Sequence, residues 1–189
     1  MILIIDNFDS FTFNIVQYIS KYNDNILIKK NNEIKSNEIN SLKLSHIVIS
    51  PGPGNPNNAG NCLSIINDHY KHIPILGVCL GHQAIGEVFG AIILEHSSVC
   101  HGKVSTIFHN GKSILYKGIP SSFKATRYHS LVIDRETLHN DLSIISILDD
   151  GTIMGIEHNK YPLYGVQFHP ESIETFCGEK IIENFIKIA

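Results

Sequence analysis

The first half of the chain alternates continuous apolar runs with amphipathic segments. The runs are short and end at turn-forming residues, which is typical of strands buried on both faces of a sheet. They lie at Met1–Ile5, Asn25–Lys30, His46–Ser50 and Ile73–Val78. Between them, apolar residues recur at helical spacing in Phe11–Tyr22, Asn61–His72 and Leu80–Phe89. Strands that alternate with helices indicate a parallel sheet covered by helices.

The second half of the chain carries strand-like segments separated by tight turns. Two hairpins are predicted, because a glycine-containing turn lies between two β-like segments in each case. These hairpins are Lys103–His109 with Lys112–Tyr116 around Asn110-Gly111, and Leu142–Leu148 with Thr152–His158 around Asp149-Asp150-Gly151.

The end of the chain predicts one more strand and a closing helix, at Leu163–Phe168 and Gly178–Ile188. We find no internal repeat and no linker, so a single domain over residues 1–189 is expected. The predicted fold class is α/β. It is a single three-layer domain with a mostly parallel central sheet, flanking helices and antiparallel hairpins in its second half.

Composition narrows the classes of partner. The 189 residues are 43% hydrophobic and 17% charged, which is ordinary for a globular domain. The net charge of −3 gives no basic field, so we expect no nucleic acid and no membrane surface as a partner. No apolar stretch reaches the roughly 18 residues that span a bilayer. The expected partners are small molecules and other proteins.

The four cysteines lie far apart and form no CxxC pair: Cys62, Cys79, Cys100 and Cys177. This spacing predicts reduced thiols rather than a zinc site or a redox motif, so we expect no metal and a soluble protein of a reducing compartment. Heavy use of isoleucine, asparagine and lysine fits an AT-rich genome. The expected compartment is the plastid stroma if the gene is organellar, and the cytoplasm otherwise.

Cys79 lies between glycines, in Gly77-Val78-Cys79-Leu80-Gly81, where a buried strand runs directly into a helix. This order is that of a nucleophile elbow, whose sharp turn requires residues without a Cβ beside it. The positive end of the helix dipole favours the thiolate, which is the nucleophilic form. By itself the pattern also fits a small buried cysteine. The other three cysteines have no comparable setting and are interpreted as structural.

His169 and Glu171 follow a predicted strand in Gln167-Phe168-His169-Pro170-Glu171-Ser172. Pro170 keeps the backbone extended, so both side chains can project to one side and the carboxylate can orient the imidazole. A cysteine nucleophile needs such a base. Any one of eleven histidines is more often structural, but the combination with the Cys79 motif favours a catalytic role.

The segment Ser50–Pro56, SPGPGNP, contains two glycines and three prolines, which excludes helix and regular strand. Its glycines can bring backbone N–H groups close to a substrate oxygen, as in an oxyanion loop. An ordinary turn is the alternative. A phosphate-binding loop is disfavoured, because no GK[ST] follows the glycines.

Five motifs together resemble the class I glutamine amidotransferases: DNFDSFTFN, SPGPGNP, GVCLGHQAIGEVFG, RYHSLVID and GVQFHPESI. The resemblance covers nearly the whole chain. Within that family, DNFDSFTFN and RYHSLVID are most similar to the small subunits of anthranilate synthase and of aminodeoxychorismate synthase.

The resemblance implies the site residues. It implies a catalytic triad of Cys79, His169 and Glu171. It also implies backbone oxyanion contacts and a glutamine pocket formed by Gly52, Gly54, Leu80, Gln83, Ser130 and Leu131. Phe8 and Phe13 depart from the pattern, because related chains often have tyrosine at these positions.

The implied reaction is glutamine hydrolysis without metal or organic cofactor, with ammonia passed to a larger chorismate-binding synthase component. The first expectation is the anthranilate route of tryptophan biosynthesis. The alternatives are the aminodeoxychorismate route of folate synthesis, a free-standing γ-glutamyl hydrolase, and a binding module that has lost the chemistry. The last is disfavoured because the three triad positions match the family pattern.

Overall fold

Strands and helices alternate through the first half of the molecule, and strands dominate the second half. The computed structural model describes residues 1–96 and 100–188. The strands are β1 (Ile2–Asp6), β2 (Ile26–Lys30), β3 (His46–Ile49), β4 (Ile75–Val78), β5 (Ile93–Glu95), β6 (Lys103–His109), β7 (Ser122–Arg127), β8 (Leu131–Ile133), β9 (Leu142–Ile147), β10 (Ile153–His158) and β11 (Leu163–Val166). The helices are α1 (Thr12–Ser20), α2 (Ser36–Ile39), α3 (Cys62–His69), α4 (Leu80–Val88) and α5 (Gly178–Ile186).

Nine of these strands form one mixed sheet in the order β2-β1-β3-β4-β11-β10-β9-β6-β7. The pairs from β2 to β11 are parallel, and those from β11 to β7 are antiparallel. Strands β5 and β8 form a separate antiparallel pair. The predicted α/β fold with antiparallel pieces in its second half is therefore confirmed.

The parallel strands are apolar throughout because both of their faces are covered. In β1, Ile2 and Ile4 pack in a cluster with residues of α1 and α5. Leu3 and Ile5 point to the opposite face, into a cluster with residues of α3 and α4. All four side chains are fully buried, which explains why this strand lacks the polar alternation of a half-exposed one. The molecule consequently has three layers, with helices on both sides of the sheet.

One predicted hairpin is wrong. Strand β6 pairs with β7, and the segment after Asn110-Gly111 forms a 3₁₀ turn at Ile114–Tyr116 instead of a strand. Leu115 is buried, and Asn184 of α5 donates hydrogen bonds to the carbonyls of Leu115 and Lys117 at 2.8 and 2.9 Å. This helix contact satisfies the backbone of the turn, so the local hairpin signal is overridden.

The second predicted hairpin is confirmed, since β9 and β10 pair antiparallel around the turn at Asp149-Asp150-Gly151. Short elements escaped prediction: α2, β5, β7 and β8. In the part of the chain that the structure describes, none of the helices combines the length and apolar character needed to cross a bilayer.

Candidate active site

Cys79 lies at the junction of β4 and α4 in a strained backbone conformation. Its φ is 51° and its ψ is −97°, a region that residues with a Cβ rarely adopt. The conformation is held from both sides, because the Cys79 N–H donates to Val166 O at 2.8 Å and its carbonyl accepts from Gln83 N–H at 3.1 Å. The neighbouring strand and the first turn of the helix therefore hold the side chain in place.

The glycines of the elbow are required by close backbone approach. A Cβ on Gly77 would lie 2.3 Å from the carbonyl oxygen of Gly81, and one on Gly81 would lie 2.6 Å from that of Ile49. Backbone atoms cannot withdraw as a flexible side chain can. Any larger residue at either position would push α4 away from the sheet.

His169 and Glu171 lie just beyond the end of β11 and form a buried pair. The Nδ1 atom of His169 lies 2.6 Å from Glu171 Oε1, and both side chains are almost completely buried. Two hydrogen bonds hold the His169 backbone in place. Its N–H donates to Thr126 O at 2.9 Å, and its carbonyl accepts from Thr175 Oγ1 at 2.7 Å. The carboxylate therefore sets the orientation of the ring and places a proton on Nδ1.

The other ring nitrogen of His169 faces Cys79. Nε2 is buried without a hydrogen-bond partner of regular geometry among the described residues, but the Cys79 sulfur interacts with the ring. Burial lowers the pKa of His169, while Cys79 and Glu171 together outweigh burial and hold that pKa well above its usual 6.5. A ring that keeps its proton at neutral pH can deliver it to a departing amine.

A small cavity of about 140 Å³ opens beside Cys79. Among its lining residues are five predicted for substrate binding: Gly52, Gly54, Gln83, Ser130 and Leu131. Pro53, Tyr128 and His129 complete the lining with Cys79. Leu80 is not part of it; its side chain is buried against Gly52, and the residue begins α4 directly after Cys79.

A chain of amide groups connects the cavity wall with the sulfur. Gln83 Nε2 donates to Leu131 O at 3.0 Å and to Gln167 Oε1 at 3.1 Å, and Gln167 Nε2 lies 3.5 Å from Cys79 Sγ. Gln167 was not among the predicted site residues. The sequence offered a signal for it, because it lies two residues before His169 at the end of the predicted strand Leu163–Phe168, where alternate residues share a face.

The glycine-rich loop is held by a buried asparagine. Asn7 accepts a bond from Asn31 Nδ2 at 2.9 Å, while its own Nδ2 donates to Ser50 O at 2.8 Å and its N–H to Ser50 Oγ at 2.9 Å. A Cβ on Gly52 would lie 2.4 Å from Asn7 Cβ, so the loop packs directly on this side chain. Residue Asn7 was also missed, although it lies in the DNFDSFTFN motif.

Aromatic side chains shield the histidine. The ring of Tyr128 stacks on Phe11 at 5.5 Å and meets the edge of His169 at 5.1 Å. Phe8 and Phe13 are 54% and 61% exposed. The His169 ring is thus covered on one side by the rings of Phe11 and Tyr128.

The other cysteines lack this setting. Burial raises the pKa of Cys62 to about 12, and it raises that of Cys177 as well. Cys100 is buried. Within residues 1–96 and 100–188, no three histidine, cysteine or acidic side chains are grouped as metal ligands would be.

Comparison with known proteins gives consistent results. The family model "Glutamine amidotransferase class-I" matches residues 3–189. The chain is 50% identical over 187 residues to "Anthranilate synthase component 2" of Cyanophora paradoxa, with 98% of each chain covered. It is 46% identical to "Aminodeoxychorismate/anthranilate synthase component 2" of Bacillus subtilis, covering 99% of this chain and 96% of the relative. The crystal structure of a protein from Thermoplasma acidophilum, described as part of a GMP synthase, superimposes with a TM-score of 0.87 at 27% identity, covering 98% of this chain and 91% of that one.

Proposed function

This chain belongs to the class I glutamine amidotransferase family, and from that premise we propose that it is the glutaminase subunit of a two-component, chorismate-using synthase that makes anthranilate. The observation that carries the proposal is the strained Cys79 elbow beside the buried His169–Glu171 pair at the wall of a polar cavity. Near-full-length similarity to proteins named as component 2 of such synthases supports it.

The reaction follows from the placement of these groups. The Cys79 thiolate attacks the side-chain amide carbon of glutamine, and the protonated His169 ring gives its proton to the departing ammonia. Water, deprotonated by the same ring, then releases glutamate from the thioester. Backbone N–H groups of Gly52 and Leu80 are the proposed donors to the oxyanion, each worth about 3 kcal/mol in such sites.

A partner protein fits the surface around the site. Phe8 and Phe13 are exposed and lie on either side of Phe11 in the chain, whose ring contacts that of His169. Ile173 and Phe176, which follow Glu171 in the chain, are 91% and 87% exposed. Exposed apolar groups near a catalytic pair favour a docking surface for the synthase component. Docking there would shield ammonia from water while it is transferred to the partner.

Two other functions remain as alternatives. The Bacillus subtilis relative is named for both aminodeoxychorismate and anthranilate synthesis, so the same protein can be proposed to serve a folate-route partner. A free-standing γ-glutamyl hydrolase would use the same cysteine and histidine but would need no partner.

We propose that the protein acts in the plastid stroma if its gene is organellar and in the cytoplasm otherwise.

The deciding experiment reconstitutes the chain with the synthase component that co-purifies with it. With glutamine and chorismate supplied, we expect anthranilate as the product. Aminodeoxychorismate would select the folate route, and glutamine hydrolysis without a partner or an aminated product would favour the free-standing hydrolase.

The Cys79→Ala variant tests the division of labour in that complex. Glutamine-dependent synthesis should fall by at least about 10⁴-fold, because the nucleophile is lost, while synthesis from ammonium salt should stay within about twofold of wild type. Loss of both activities together would show that Cys79 does not serve glutamine hydrolysis alone.

A further inference from the structure

A buried arginine next to the cavity wall makes no ion-pair contact with a carboxylate of the described residues. Arg127, at the end of β7, is 3% exposed, and no acidic side chain of the described residues lies within ion-pair distance of it. Its Nε donates to Ser105 Oγ at 3.0 Å, and its Nη1 lies 3.4 Å from His129 Nε2. Burying a charged guanidinium costs desolvation free energy. The contacts that Arg127 makes therefore indicate its role.

The arginine decides which nitrogen of His129 carries the proton. A guanidinium only donates hydrogen bonds, so Nε2 of His129 must accept and the ring proton must lie on Nδ1. Nδ1 is 3.1 Å from the carbonyl oxygen of Leu131 and donates to it. Burial, and secondly the charge of Arg127, lower the pKa of His129 to about 3, so the ring stays neutral.

The Leu131 carbonyl receives two donors, one from each side. His129 Nδ1 is the first, and Gln83 Nε2, at 3.0 Å, is the second. Both lone pairs of the oxygen are therefore used, and the peptide at the start of β8 cannot rotate without breaking one bond. That carbonyl belongs to the Leu131–Val132 peptide, and Leu131 and the preceding Ser130 both line the cavity.

We propose that His129 is a positioning residue for glutamine: held by Arg127, it fixes the Leu131 carbonyl and with it the Ser130–Leu131 wall against which the substrate binds. This inference rests on the proposed glutaminase function. Within the described part of the chain, the side-chain hydrogen bonds of His129 go to Arg127 and Leu131 and not to the catalytic groups. Its loss should therefore weaken substrate binding and leave the chemical step nearly unchanged.

Two polar variants distinguish this positioning role from a role in packing alone. In His129→Asn, the amide nitrogen can occupy the position of Nδ1 and donate to Leu131 O. In His129→Gln, the longer side chain can still accept from Arg127 but loses the donor beside the backbone. The matched control is His46→Gln, since His46 is also buried and bonds a carbonyl, that of Ile188, at the end of β3 opposite to the glycine-rich loop.

The variants are compared in the reconstituted complex by glutamine saturation, and in the chain itself by alkylation of Cys79. A diazoketone analogue of glutamine reports substrate binding, and iodoacetamide reports thiol reactivity alone. We expect His129→Gln to raise KM and the half-saturating analogue concentration about five- to tenfold, the effect of one lost hydrogen bond, with kcat and the iodoacetamide rate within about twofold. His129→Asn and His46→Gln should stay close to wild type.

An unchanged KM in His129→Gln, with active wild type, would overturn the positioning role and leave the proposed function intact. So would an equal loss in the Asn and Gln variants that follows their loss of thermal stability. A wild-type complex that neither hydrolyses glutamine nor reacts with the analogue would instead overturn the proposed function.

Discussion

At the scale of the residue, two side chains separated by one proline form the acid–base unit of the proposed site. Glu171 contributes a buried carboxylate 2.6 Å from the His169 ring, and of these two side chains only His169 interacts with the sulfur of Cys79. In the proposed reaction, the histidine moves the proton in both half-reactions, whereas the carboxylate acts only through the histidine.

The unequal roles predict unequal losses. His169→Ala should reduce glutamine-dependent kcat by about 10³-fold or more, and Glu171→Gln, which retains a hydrogen-bond acceptor, by roughly 10- to 100-fold. Steady-state kinetics of the complex measure both. A larger loss in Glu171→Gln than in His169→Ala would reassign the base.

At the scale of the element, the crossing of α4 over β4 produces the strained cysteine. The helix starts immediately after the strand, and the backbones approach so closely that Gly77 and Gly81 leave no space for a Cβ. The strain at Cys79 persists because packing of the helix on the sheet over-determines it. Stability of the crossing and reactivity of the thiol should therefore change together.

Gly77→Ala tests this link. The added methyl meets the backbone of α4 at 2.3 Å, so we expect a loss of unfolding free energy of about 3 kcal/mol or more and slower alkylation of Cys79. Gly111→Ala is the control: it has a φ of +74° but no atom within 4 Å, and should cost about 1 kcal/mol. Equal costs in urea unfolding would mean that crowding at the elbow is relieved elsewhere.

At the scale of the whole molecule, burial keeps several histidines neutral. It lowers the pKa of His82 and of His129 to about 3, and it lowers that of His46 and His158 to a smaller extent. Folding the two halves of the chain together thus encloses groups that would be half-protonated near pH 6.5 in the unfolded chain.

This burial predicts acid sensitivity. The unfolded chain takes up a proton on each of these histidines as the pH falls through 6.5, and the folded His82 does so only near 3. The contribution of the neutral His82 to the free energy of unfolding is therefore complete above pH 6.5. Below that pH the free energy of unfolding decreases by up to about 1.4 kcal/mol per pH unit. The raised pKa of His169 contributes with the opposite sign, because its stabilisation grows as the pH falls towards 6.5 and becomes constant only well below 6.5, where the ring is protonated in both states.

Denaturant unfolding between pH 6.5 and about 5 measures the slope of the free energy of unfolding against pH. His82→Leu should reduce this slope by roughly the contribution of one histidine. His46→Leu, a partly desolvated histidine, should reduce it less. A slope unaffected by His82→Leu would mean that this ring is protonated in the folded protein.

The layers of the fold could be predicted from the amino-acid sequence. Runs such as Met1–Ile5 are apolar at every position because both faces of a central parallel strand are covered, and that local pattern requires no knowledge of the partners. It also indicated the Cys79 elbow, since glycines on both sides of a cysteine at a strand–helix junction are a local signal.

Contacts between segments that are distant in the chain could not be predicted in this way. The turn at Ile114–Tyr116 depends on Asn184, and the Leu131 carbonyl on Gln83, so neither could be inferred from neighbouring residues. The same holds for the neutral His129, whose protonation depends on Arg127 and on burial. Hydrogen bonds and desolvation depend on distances in space, whereas hydrophobic periodicity depends only on the order of residues in the chain.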